Sequence, residues 1–240
     1  MAGGLALVVS VAVASRASAY VYWTDSPTNV IQRANNDGTS AITLIQGASK
    51  PTGIAVTPQY IFWANQGSGT IGRANIDGTD ANPNFITGGD GVAGVAVQGN
   101  YVYWTNSGCG GECGIGRANL DGSAVNQNFI PLPLNSEENP GGLAVDANYL
   151  YVTFPYYANG PVARFPIAGG NVSGQILVTT YGFPLGIAVN SSSMYFSNFE
   201  TGEIERANLD GTNLDTNFQG DAMVKDEGFG GIALDSTYIY

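Results

Sequence analysis

One pattern recurs five times along the chain and constrains its fold more than any single residue. An aromatic segment, Tyr-Val-Tyr-Trp-Thr-Asp, begins at Tyr20 and returns at Tyr60, Tyr101, Tyr149 and, in degenerate form, Ser193, so successive copies start 40, 41, 48 and 44 residues apart. Each is followed by a basic segment, first seen as Ile-Gln-Arg-Ala-Asn-Asn-Asp-Gly-Thr at 31–39 and repeated at 71–79, 115–123 and 204–212, with a looser copy at 162–169. A third segment, Gly-Ile-Ala-Val or a close variant, opens at Gly53, Gly94, Gly142, Gly186 and Gly231, always seven residues before the next aromatic segment. A period of roughly 40 to 50 residues holding several short strands marks propeller blades, whose units cannot bury their faces alone.

Asp-Gly supplies the positive φ that a tight hairpin needs, so each basic segment reads as one strand, a turn and the start of another. With the short hairpin between the Gly-Ile-Ala-Val and aromatic segments, every copy holds four antiparallel strands. Alternation along them is weak because neighbouring blades cover both faces. The expected fold is an all-β propeller of four-stranded antiparallel blades over residues 20–240, with five full repeats. The copy opening at Gly231 is incomplete at Tyr240, which fits either a terminal clasp on the first blade or, the preferred reading, an unfinished sixth blade.

Taken together, Tyr-Trp-Thr-Asp, Arg-Ala-Asn-Leu-Asp-Gly and Gly-Ile-Ala-Val resemble the low-density-lipoprotein-receptor class B, or YWTD, repeat, here in a bacterial-type secreted relative. The resemblance runs from about Tyr20 onward. It implies a six-bladed, TolB-like propeller acting as an extracellular binding scaffold, and it carries over no catalytic residues. The chain departs from the pattern where the closing Asp survives only at Asp25 and becomes Asn65, Asn106, Phe154 and Asn198, and where the fourth and fifth copies lack Trp.

A formal net charge of −11 repels nucleic-acid phosphates and anionic headgroups, and five of the eight basic residues are spread one per repeat. This argues against a nucleic-acid partner. Residues 5–14 form an apolar run too short to span a bilayer, followed by Ala17-Ser18-Ala19, a small-Xaa-small cleavage pattern. Residues 1–19 are therefore expected to be a signal peptide, with a terminal strand as the alternative. An extracellular or periplasmic monomer without a membrane span follows.

Cys109 and Cys113 stand alone in a lengthened loop and are expected to pair. So short a ring contributes at most about 2 kcal/mol, so it shapes the loop more than it stabilises the fold. The chain has no histidine, which removes Ser-His-Asp and Cys-His nucleophiles and the usual zinc sites. Asp37, Asp77, Asp121 and Asp210 read as turn residues, since hairpin tips on separate blades diverge and calcium needs convergent oxygens. No metal or cofactor is expected. Trp23, Trp63 and Trp104 read as structural wedges between blades. Arg33, Arg73, Arg117, Arg164 and Arg206 read as hydrogen-bonding links between neighbouring blades. The glycosylation-type triplets at 171–173 and 190–192 arise readily by chance.

What remains points to a non-catalytic scaffold for a protein or carbohydrate ligand. The expected site lies on the loops after each aromatic strand and before each Gly-Ile-Ala-Val strand, where the copies stop matching. Phe154, Tyr156, Tyr157, Phe183, Phe199 and Phe229 bring aromatics there, and Glu137 and Glu138 bring carboxylates. The competing reading is a lactonase-like hydrolase or lyase using a cation held by Asp, Glu and Asn at the axial mouth.

Overall fold

The computed structural model describes residues 20–108, 113–132, 139–155, 159–171, 173–219 and 230–240, and all regular structure among them is β-strand. The first sheet has three strands, β1 (Tyr20–Asp25), β2 (Val30–Asn35) and β3 (Ile42–Gln46). Four-stranded sheets follow: β4 (Pro51–Val56) to β7 (Asn82–Ile86) through β5 (Tyr60–Asn65) and β6 (Thr70–Asn75), then β8 (Val92–Gln98), β9 (Tyr101–Asn106), β10 (Gly114–Asn119) and β11 (Asn126–Pro131). The fourth blade is β12 (Leu143–Val145), β13 (Tyr149–Thr153), β14 (Gly160–Pro166) and β15 (Gln175–Thr180), and the fifth is β16 (Pro184–Val189), β17 (Ser193–Asn198), β18 (Glu203–Asn208) and β19 (Asp215–Gln219). Every pairing is antiparallel between sequence neighbours, which gives a succession of five meander blades around an axis. A further hairpin pairs Leu234 with Ile239, so the segment from Gly231 takes the inner place of another blade.

Apolar residues on both faces of the strands are explained by where the core lies. There is one cluster per pair of adjacent blades: Tyr22, Ile31 and Ile45 of the first blade meet Ile54, Ile61 and Trp63 of the second, and Phe62 and Ile71 of the second meet Val102 and Trp104 of the third. Two further clusters join Tyr103 to Val152 and Tyr151 to Phe196 in the same way. Trp63 and Trp104 are fully buried, whereas Trp23 on the first blade is half-buried. Opposite each buried indole stands a glycine, Gly72 or Gly116, because any side chain there would collide with the ring.

Near the axis the blades are joined by hydroxyls. Thr105 Oγ1 accepts from the Gly94 amide and donates to the Gly141 carbonyl of the next blade, both at 2.8 Å. Thr153 does the same between Gly142 and Leu185. The second blade has Ala64 at this slot, and Thr52 on its inner strand supplies the missing hydroxyl by donating to the Ala93 carbonyl at 3.0 Å. Inner strands approach so closely that a Cβ on Gly142 would overlap the Leu185 carbonyl oxygen, which accounts for the glycine opening each inner segment.

At the opposite end, Gly38, Gly78, Gly122 and Gly211 take φ of 80° to 87° in the Asp-Gly turns. Asp37 accepts from both the Thr39 hydroxyl and the Thr39 amide, bonds that hold its carboxyl below the usual carboxylate range, and Asp77, Asp121 and Asp210 repeat the arrangement. Each repeat arginine lies over an aromatic ring, as Arg33 does over Tyr20 at 4.2 Å and Arg206 over Phe218 at 4.3 Å. Arg73 donates to the Leu120 carbonyl and Arg164 to the Leu209 carbonyl, each at 2.9 Å and each reaching the turn of the following blade.

Candidate functional site

The inner strands run side by side around the axis and leave a funnel of about 380 Å³ at the end away from the Asp-Gly turns. Its wall is largely backbone, at Gly53, Gly94, Gly142 and Gly186, and its floor is Val95, Leu143 and Ile187. The same three residues cap a second, aliphatic cavity of about 190 Å³ further down the axis, between them and Val56, Val97, Val145 and Val189. The rim carries Ser26, Gln66, Ser107, Asn139, Pro140 and Pro155, drawn from the loops after the aromatic strands and before the inner strands.

The rim is held by the residue that closes each aromatic strand. Asn65 accepts from Trp63 Nε1 and the Ser49 amide and donates to the Pro83 carbonyl of its outer strand. Asn106 donates to the Gln127 carbonyl and Asn198 to the Tyr181 carbonyl, each at 2.7 Å. These positions are buried and need donation as well as acceptance, which an ionised Asp cannot give. Asp25 is partly exposed and accepts from the Thr28 amide at 3.1 Å, a role an ionised carboxylate can fill.

Phe183 and Phe199 meet edge to face with centroids 6.2 Å apart, half-buried beside the mouth in the fifth-blade sector. Phe154 is different: it is 2% exposed and packs with Leu132, Val152 and Phe165 in the core between the third and fourth blades. This corrects its expected place on the binding surface, because the closing position turns inward in this blade as it does at Asn65, Asn106 and Asn198. Glu137, Glu138, Tyr156, Tyr157 and Phe229 lie outside the described residues, as does Cys109. Cys113 is buried, with its sulfur 3.8 Å from Asn139 Oδ1.

Sequence reasoning passed over the small uncharged residues Ser26, Thr52, Gln66 and Ser107, whose only signal is their position directly after an aromatic strand or beside an inner glycine. It also passed over Glu205, which replaces the glycine opposite the buried aromatic and is 1% exposed. Asn198 Nδ2 donates to Glu205 Oε1 at 2.6 Å, and Thr180 Oγ1 lies 2.7 Å from both carboxyl oxygens. Burial pushes its carboxyl above the ordinary range, opposed by the Asn198 and Thr180 hydrogen bonds. Among the described residues no group of three His, Cys, Asp or Glu converges, and no helix is long and apolar enough to cross a membrane.

A profile of the family described as low-density lipoprotein receptor repeat class B matches residues 19–56. No curated protein sequence matches the chain. Among solved structures, a chain in the crystal structure of a nidogen/laminin complex superposes with a TM-score of 0.77 at 22% identity, covering 95% of this chain and 85% of that one. A gluconolactonase from Xanthomonas campestris gives a TM-score of 0.70 at 17% identity, covering 97% and 81%. Virginiamycin B lyase from Staphylococcus aureus gives 0.65 at 19%, covering 97% and 76%. At these identities the likeness is one of fold, and function has to be argued from the site. Blade by blade, the aromatic strand, the Asp-Gly turn and the inner glycine thus identify a β-propeller, whose residues 19–56 match the low-density lipoprotein receptor class B repeat.

Proposed function

We propose that the chain is an extracellular or periplasmic binding scaffold without chemistry of its own, which holds a protein or carbohydrate ligand at the funnel mouth. The observation that carries this reading is the character of the funnel. Its described lining has no carboxylate, ammonium or guanidinium and consists of glycine backbone, aliphatic side chains and a few neutral polar groups. A cation-dependent hydrolase would need several oxygen ligands converging on one point. A binding site needs what is present, a preformed apolar recess with a few polar groups at its edge. Phe183 and Phe199, with Glu137, Glu138, Tyr156, Tyr157 and Phe229, are proposed as contacts around it.

Gln66 is exposed at the rim, so a larger side chain there obstructs the mouth without entering the core. Gln66→Trp is expected to lower affinity at least about tenfold, which is about 1.4 kcal/mol, for any ligand captured in a peptide or glycan screen, with an unchanged circular dichroism spectrum. Undiminished binding, or divalent-dependent turnover of a lactone by the parent protein, would sink the reading.

We also propose that Cys113 pairs with Cys109. Seven residues separate β9 from β10, against four between β5 and β6, so the bond would pin the longer loop beside Asn139 on the rim. Intact mass after alkylation without reductant should show no added label on the exported protein; two labels would refute the pairing. Because the ring is short, its reduction should lower stability by no more than about 2 kcal/mol.

A further inference from the structure

We propose that Asp90, beside the funnel rim, is a backbone modification site, at which the Gly91 amide nitrogen closes on the Asp90 side chain and the resulting succinimide reopens as isoaspartate. The nitrogen bonds to Cγ of the protonated carboxyl and gives up its proton as one carboxyl oxygen leaves as water. Water then adds back, and breaking the bond from nitrogen to the former main-chain carbonyl carbon leaves the chain running through Cγ. Composition is unchanged, and nothing is oxidised or reduced. Glycine in the second place favours the attack, because no Cβ shields its nitrogen.

The chain has five Asp-Gly pairs, and four of them are held against this reaction. In the hairpin turns the glycine amide is already given across the turn: Gly38 to the Asn35 carbonyl and Gly78 to that of Asn75 at 2.8 Å, Gly122 to Asn119 and Gly211 to Asn208 at 2.9 Å. The carboxyls are held as well. Asp37 accepts from the amide and hydroxyl of Thr39, Asp77 from Thr79, Asp121 from Ser123 and Asp210 from Thr212. These bonds keep the four carboxyls below the usual carboxylate range, so less of each is in the neutral form that can lose water. They must also open before nitrogen can reach Cγ.

Asp90 has neither restraint. It is exposed just before β8, and among the described residues neither its carboxyl oxygens nor the Gly91 amide has a hydrogen-bond partner. A Cβ on Gly108 would stand 2.3 Å from Asp90 Oδ1, 2.8 Å from its Cγ and 2.9 Å from the Gly91 nitrogen, so both reacting groups face the same side of the loop. The bonds that anchor this loop run through its carbonyls instead. That of Asp90 accepts from the Gly108 amide at 2.9 Å, and that of Gly91 from the Ser107 amide at 3.2 Å and the Ser107 hydroxyl. Isoaspartate lengthens the main chain by one carbon and turns the Asp90 carbonyl into a branching carboxylate, which breaks the register with 107 and 108. Ser107 lines the funnel, so the modification reshapes that sector of the rim.

The test is incubation of the full chain at mildly acidic pH, native and unfolded in urea, with isoaspartate located peptide by peptide by electron-transfer fragmentation and totalled with an isoaspartyl methyltransferase. In urea the five sites should isomerise alike, since each is the same dipeptide. In the native protein Asp90 should stay close to that rate, while the four turn sites fall at least about tenfold, the effect of hydrogen bonds that must open first. Asp90→Glu, which would need a six-membered ring, should remove the native signal. Hydrogen exchange at Ser107 and Gly108 should quicken as isoaspartate accumulates in the parent, and not in that variant. Asp90→Asn and Asp77→Asn give a second reading, because loss of ammonia through the same ring raises the mass; only the first should convert rapidly when folded. The Asn-Gly pair at 159–160, whose Gly160 amide is given to the Gly182 carbonyl at 3.3 Å, is told apart by the same mass change. Protection of Asp90 equal to that of the turn sites, or isoaspartate at the turns as fast as at Asp90, overturns the proposal.

Discussion

Trp63→Ala is expected to lower folding stability by about 3 to 5 kcal/mol, the range for emptying a large aromatic site in a core that cannot collapse. Trp63 is fully buried and packs with Tyr22, Ile31 and Ile54, so it belongs to two blades at once. Its indole N–H donates to Asn65 Oδ1 at 3.0 Å, and that oxygen also receives the Ser49 amide of the loop entering the second blade. Removing the ring thus empties the space opposite Gly72, which has no side chain of its own to refill it. For a chain of this length the cost corresponds to roughly 10 °C in Tm. Trp23→Ala should cost clearly less, because Trp23 is half-buried and its N–H donates to Gln32 within its own blade. Equilibrium denaturation of both variants decides the matter: an unperturbed Trp63→Ala midpoint, or equal losses for the two, would show that the indole does not join the blades.

The difference between these two tryptophans marks what a repeat can and cannot announce. Period, turn chemistry and strand count were legible because Asp-Gly, the aromatic strand and the inner glycine are each dictated by local geometry repeated in every copy. The same averaging hides what distinguishes one copy from another. Phe154 looked like an exposed aromatic because it replaced a polar residue, yet the backbone direction at the end of β13 turns that side chain into the core. The change from Asp to Asn at Asn65, Asn106 and Asn198, visible only as a departure from the repeat pattern, reflects buried positions that must donate as well as accept. Thr52 compensating for Ala64 could not be read at all, since the two residues lie on different strands of one blade and act on a third strand in the next. The funnel escaped for a related reason. It is made by the approach of backbones from successive copies, and glycine, serine and glutamine carry no chemical signature that a linear reading would single out.

Glu205 gives the second large effect, and its sign depends on pH. A carboxyl whose folded-state pKa lies above its unfolded value binds its proton more tightly in the folded protein. Its contribution to stability is then fully present below the ordinary Glu value of about 4.3 and is lost as pH rises through the folded pKa. Burial is the larger cause of the upward shift, so Glu205 should weaken the protein at neutral pH relative to acid. Glu205→Gln keeps the shape, still accepts from Asn198 and can donate to Thr180, but never has to hold a buried charge. The variant should match the parent near pH 4 and become progressively more stable than it toward pH 8. Exposed Asp37, Asp77, Asp121 and Asp210 work in the opposite sense, because their lowered pKa values give stability that is lost as pH falls; they cancel in the difference between two proteins that share them. Glu205→Leu separates charge from hydrogen bonding. It should cost about 1 to 3 kcal/mol at acid pH, where the parent carboxyl is neutral, by leaving Asn198 Nδ2 without its 2.6 Å acceptor. A Glu205→Gln curve parallel to the parent's across pH 4 to 8 would mean that the carboxyl titrates alike in both states, and the buried-charge account of the fifth blade would be wrong.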